Sequence, residues 1–78
     1  MLFKRQRPVE EVAVGAVFRR LCAGEVVETA RVLSISRDPA GIPHVRFSIH
    51  YDRAEAADDL RTLALATFAS LFRERVGA

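Results

Sequence analysis

Tryptophan is absent from this 78-residue chain, and cysteine, methionine, tyrosine and lysine occur once each. With Cys22 alone, an intramolecular disulfide and any multi-cysteine zinc site are excluded. A small, partly buried thiol in a reduced, cytoplasmic setting fits that usage. No apolar run approaches the length needed to span a bilayer. The opening Met1-Leu2-Phe3-Lys4-Arg5-Gln6-Arg7-Pro8 is basic without a following apolar stretch, so neither a signal peptide nor a membrane anchor is expected. Ser34, Ser36, Ser48 and Ser70 lack a G-x-S-x-G elbow, and no glycine-rich loop precedes a helix as a phosphate cradle requires. The chain therefore reads as non-enzymatic, with no cofactor and no evident small-molecule substrate.

Against those absences stands one well-patterned segment, Pro43-His44-Val45-Arg46-Phe47-Ser48-Ile49-His50-Tyr51-Asp52, in which apolar and polar residues alternate without a break. Such a pattern predicts a half-buried strand. Val45, Phe47, Ile49 and Tyr51 face a core, and His44, Arg46, Ser48, His50 and Asp52 face outward. A hydrophobic fraction of 50% supplies a single small core. Within it, Phe47 and Phe68 are expected single points of failure.

The few glycines and prolines punctuate the rest. Residues 1–8 form a flexible basic lead, and 9–76 one small β-rich domain. Gly15 ends a short apolar stretch, Val17 to Leu21 reads as a strand, Ala23-Gly24 as a turn, and Val26 to Ser36 as a longer strand. Asp38-Pro39-Ala40-Gly41-Ile42-Pro43 is a turn joining antiparallel strands. Val27, Leu33 and Ile35 fall on one face of the long strand, and Val26, Ala30 and Val32 on the other. A bulge near Ala30 or Arg31, or burial on both sides, would reconcile them.

Beyond Asp52 two readings stand. In one, Leu60, Leu63, Ala64, Thr67, Phe68, Leu71 and Phe72 line a single long helix, giving an α+β fold of three-stranded meander plus helix. In the other, Arg53 to Asp59 is a loop and Arg61 to Leu65 a strand, with Leu63 and Leu65 on the core side. Thr67 then caps a short helix that buries Phe68, Leu71, Phe72 and Val76. The placement of Leu65 favours the second, and with it a mainly β fold: a small curled antiparallel sheet, or barrel, of four to five strands with a short C-terminal helix.

This order, with Val14-Gly15-Ala16-Val17-Phe18-Arg19-Arg20 entering the first strand, resembles the small SH3-like barrels, including Tudor-type and KOW-type modules. Residues 61–68 are also similar to the strand-to-helix ending of some uncharacterised small bacterial domains. The resemblance covers residues 12–72 and implies a curled five-stranded sheet. It does not carry over methylated side-chain reading, because the aromatic cage which that activity uses has no counterpart here. Fold analogy alone assigns no function.

Of the 12 cationic side chains 11 are arginine, and the formal charge is +2. Arginine suits bidentate phosphate or carboxylate contacts. Arg46 and His50, with Ser34 and Ser36 across the hairpin and Arg19, Arg20 and Arg37 as extensions, form the candidate partner or nucleic-acid surface, with Asp52 and Glu28 available to neutralise it. Ile42 is a candidate for presentation to a partner from the turn. His44 and His50 share a face but lie about 20 Å apart along a strand, too far for one metal. Asp58 and Asp59 suit a loop or helix start better than a catalytic pair. The leading expectation is an interaction module for a protein partner or for its own copies. The alternative is an RNA- or DNA-contacting barrel using its arginines.

Overall fold

Side-chain alternation organises the residues described by the computed structural model, 11–52 and 58–77, into five strands and one helix. They are β1 (Val17–Cys22), a 3-10 turn at Ala23–Glu25, β2 (Val26–Arg37), β3 (Pro43–Tyr51), β4 (Asp59–Ala64), α1 (Leu65–Leu71) and β5 (Glu74–Val76). All neighbours are antiparallel, in the order β4-β3-β2-β1-β5. This is a mainly β fold, one sheet that does not close on itself, with a short helix near its end. The expected lead (1–8) and most of the expected loop (53–57) lie outside the described residues.

The first three strands follow their alternation. In β3, Val45, Phe47 and Ile49 are buried, Tyr51 is half-buried, and Arg46, His50 and the following Asp52 are exposed. Across the sheet Phe18 pairs with Ala30, Ala30 with Ile49, and Val32 with Phe47, so one face carries the core. Gly15 adopts φ 91°, a conformation open to glycine without a Cβ penalty. It lets the chain turn into β1 while its N–H donates to the Val32 carbonyl at 2.9 Å.

The bulge lies at Leu33, between the pairs Val32–Phe47 and Ser34–Arg46, rather than near Ala30 or Arg31. Residues 28–31 of β2 are paired on both sides, to β1 and to β3, so an extra residue there would break two ladders. At Leu33 only the β3 ladder is interrupted. The parity of the core face switches there from Glu28, Ala30 and Val32 to Ile35, which pairs with buried Val45 although it is itself exposed.

The long helix is overturned, because 59–64 is a strand paired with β3. The helix nonetheless starts earlier than Thr67. Ala64 occupies the N-cap without a side-chain hydrogen bond, and Leu65 is the first helical residue. Counting from Leu65, the i+3, i+4 and i+7 positions are Phe68, Ala69 and Phe72, and all three are buried. Leu71 is exposed instead, and Val76 belongs to β5.

Helix α1 connects opposite edges of the sheet. Flat, five strands would measure about 19 Å across, more than a seven-residue helix of about 10 Å spans. A sheet curled toward the helix brings the ends within reach. Phe68 meets Phe18 edge-on at 5.7 Å and Phe47 at 4.8 Å, and stacks on Phe72 at 5.0 Å. Val12 and Ala16 complete the core, with Tyr51, Leu63 and Leu65 packed against it. Among the described residues, no helix is long and apolar enough to cross a membrane.

Candidate functional site

Alternation in β1 sends Arg19 and Arg20 to opposite faces. On the outer face the Arg19 Nη2 donates to Glu74 Oε2 at 2.8 Å. That hydrogen bond, reinforced by charge attraction, lowers the Glu74 carboxyl below its ordinary value and raises the guanidinium. Both groups are open to solvent, so the pair is screened.

On the inner face Arg20 Nε donates to Glu28 Oε1 at 2.9 Å, and its guanidinium lies 5.2 Å from the centre of the Phe72 ring. The hydrogen bond to Glu28 raises Arg20 above its ordinary value, with desolvation opposing. Glu28 is the buried charged residue among those described. It answers Arg20 and does not face Arg46, so the expected neutralising role for Glu28 on the outer surface is corrected. Further along the same inner face, Arg61 Nη2 donates to the Tyr51 hydroxyl at 2.9 Å and lies 3.7 Å from Asp59.

The six candidates therefore do not converge. Arg37 donates to the Gly41 carbonyl at 2.8 Å and braces the β2–β3 turn. Asp38 Oδ1 accepts from the Ala40 and Ile42 N–H groups in that turn. Ile42 is half exposed there. His50 Nδ1 donates to Asp58 Oδ1 at 3.0 Å, whereas His44 contacts the Ile42 carbonyl and Asp38 near the opposite end of β3. Asp52 closes the strand pair, its carboxylate accepting from the Val27 N–H at 3.2 Å. Of the cationic members of that set, Arg37 and Arg46 have no ion-pair partner among the described residues, and Arg37 is spent on the Gly41 carbonyl.

The companion of Arg46 is Arg31, which the sequence reading did not single out. Arg31 pairs with Ser48, and Ser34 with Arg46, so both arginines occupy the outer face as diagonal neighbours, a spacing of about 7–8 Å between residues. Thr62 of β4 lies opposite Arg46. Two exposed guanidinium groups among hydroxyls could accept an oxyanion. The signal for Arg31 was its parity within β2, obscured by the then unlocated bulge.

A second surface lies where β5 stops. Strand β5 pairs with Val17, Phe18 and Arg19, leaving Arg20, Leu21 and Cys22 without a neighbour on that edge among the described residues. Leu21 is 70% exposed. A groove of about 330 Å³ runs beside it, lined by Arg19, Arg20, Leu21, Val27 and Glu74. Half-buried Cys22 ends the strand. Among the described residues no group of three histidine, cysteine or acidic side chains is placed to hold a metal.

No protein-family model, curated protein or solved structure matches this chain.

Proposed function

We propose that the chain is a small non-enzymatic interaction module that receives an extended segment of a protein partner along the open end of β1. The observation that carries this reading is the unpaired stretch Arg20–Cys22 beside a groove with the exposed Leu21 on its wall. An exposed strand end offers main-chain N–H and C=O groups to an added strand, and a neighbouring apolar side chain selects what binds. Arg19 and Glu74 flank the groove with both signs of charge. The strand order with β5 against β1 supports the SH3-like reading of the fold, and the reduced thiol count supports a cytoplasmic setting.

Leu21→Asp tests the proposal. The side chain is exposed, so folding should survive, as circular dichroism would check. Partner recovery from native extract should drop at least about tenfold and be indifferent to nuclease. Recovery unchanged by Leu21→Asp would reject this edge.

A second reading, contact with nucleic acid, is favoured by one observation, the Arg31–Arg46 pair without carboxylate partners among the described residues. Two phosphate contacts would make affinity for a single-stranded oligonucleotide fall with salt at a slope of about −1.4. Arg31→Glu with Arg46→Glu should abolish that binding. No retention at low salt would remove this reading.

A further inference from the structure

Strand β4 is the opposite edge of the sheet among the described residues, and apart from the charges of Asp59 and Arg61 it carries none of the devices that usually protect such edges. It has six residues, Asp59-Leu60-Arg61-Thr62-Leu63-Ala64, with one strand neighbour, and its register against β3 runs without a bulge. It contains neither proline nor glycine, and Leu60 is 56% exposed on the outer face. Every second residue of an edge strand directs its N–H and C=O groups away from the sheet. From its pattern of charge, we infer that this edge pairs with β4 of a second copy of the chain, antiparallel, about a two-fold axis at Leu60. The inference rests on the interaction-module reading and names a partner for it at a separate edge.

An isologous antiparallel pairing has its two-fold perpendicular to the sheet, so residues of the same face stand opposite one another. Centred on Asp59, it would set two carboxylates opposite each other. Centred on Arg61, it would oppose two guanidinium groups. Like charges directly opposite destabilise a sheet. Centred on Thr62, it would match no charges and would run into α1, which begins at Leu65. Centred on Leu60, it sets Asp59 opposite the partner copy's arginine at position 61, and Arg61 opposite its aspartate at position 59. The two exposed leucines then meet on the axis, and Asp58 faces Thr62. This register alone matches both charges and covers the apolar side chain. The interface is short, so the dimer is weak and depends on concentration.

Light scattering coupled to gel filtration, with sedimentation equilibrium up to about 0.5 mM, reads the result. The wild-type chain should move from monomer to dimer over that range. Asp59→Arg alone and Arg61→Asp alone should each weaken association about tenfold or more, since each sets like charges opposite twice. The double variant D59R/R61D restores the complementarity, as well as the contact between the two side chains within one copy, and should recover the dimer. Because both singles and the double are compared at equal fold content, measured by circular dichroism, a folding defect cannot imitate the recovery. A wild-type monomer at 0.5 mM, or a dimer insensitive to all three variants, overturns the proposal. Either result leaves the Leu21-dependent binding of another protein standing, and loss of that binding leaves the β4 dimer standing.

Discussion

Arg19 and Arg20 are adjacent in sequence, each bonded to a glutamate, and they live in different worlds. Arg19 and Glu74 meet on the outer face with more than half of each side chain in water, whereas Glu28, the partner of Arg20, is buried on the inner face beside an aromatic core. The same contrast runs through β2 and β3. Their inner face holds Ala30, Val32, Val45, Phe47 and Ile49, and their outer face holds Arg31, Ser34, Arg46 and His50. One face holds the fold together and the other is open to solvent. Substitutions should therefore have effects set by the face they touch, more than by the chemistry they remove.

The largest effect is expected in the aromatic cluster. Phe47 and Phe68 are fully buried and in mutual contact, so truncating either to alanine removes apolar burial and leaves a cavity. A cost of about 3–5 kcal/mol is expected, against a total stability of roughly 5 kcal/mol for a domain this small. Phe47→Ala should therefore keep at most about 2 kcal/mol, and its urea midpoint at 25 °C should fall to less than about half that of the wild type. A loss below about 1 kcal/mol would mean that the inner face is not the source of stability.

Much of this was legible in the sequence, and the reasons for success and failure are physical. Unbroken alternation in 43–51, and punctuation by Gly15, Gly24, Gly41 and the prolines, were enough to locate the first three strands and the main core residues. The bulge was legible as a parity conflict but not as a position, because its place depends on where β1 stops pairing with β2. Strand β5 is three residues long, too short to carry a period. The start of α1 was misplaced because Thr67 is a good capping residue, whereas the helix begins at Leu65 with no capping side chain and turns Phe68, Ala69 and Phe72 into the core. At the candidate site, the charges were visible but their partners were not. Glu28 meets Arg20, and Glu74 meets Arg19, only through the ladders of β1.

An intermediate effect belongs to the partly buried ion pair of Arg20 and Glu28. Removing Glu28 as alanine leaves Arg20 without its acceptor beside Phe72, though partial exposure lets water compensate. A loss of about 1–2 kcal/mol is expected, and less for Glu28→Gln, which keeps an acceptor. Replacing Arg20 and Glu28 together by methionine and leucine should recover part of the loss, since burying no charge avoids desolvation altogether. A double-mutant cycle read by urea denaturation gives the coupling directly. Coupling no larger than that of Arg19 with Glu74 would erase the distinction between the faces.

The smallest effect lies on the outer face and has a defined pH dependence. The Arg19 hydrogen bond, and then its charge, hold the Glu74 carboxyl below its ordinary value in the folded chain. Above the carboxylate's ordinary range the pair contributes its full stabilisation, because folding then favours the ionised form. As pH falls through the lowered folded value the carboxylate is protonated in both states, and the contribution vanishes. Wild type should therefore exceed Glu74→Gln in thermal midpoint near neutral pH by a small margin that narrows steadily in acid. Both side chains are open to solvent, so 1 M salt should flatten the difference at every pH. A margin that persists undiminished in high salt would show Glu74 acting through the β1–β5 ladder instead of through its charge, and the outer face would then share in holding the fold.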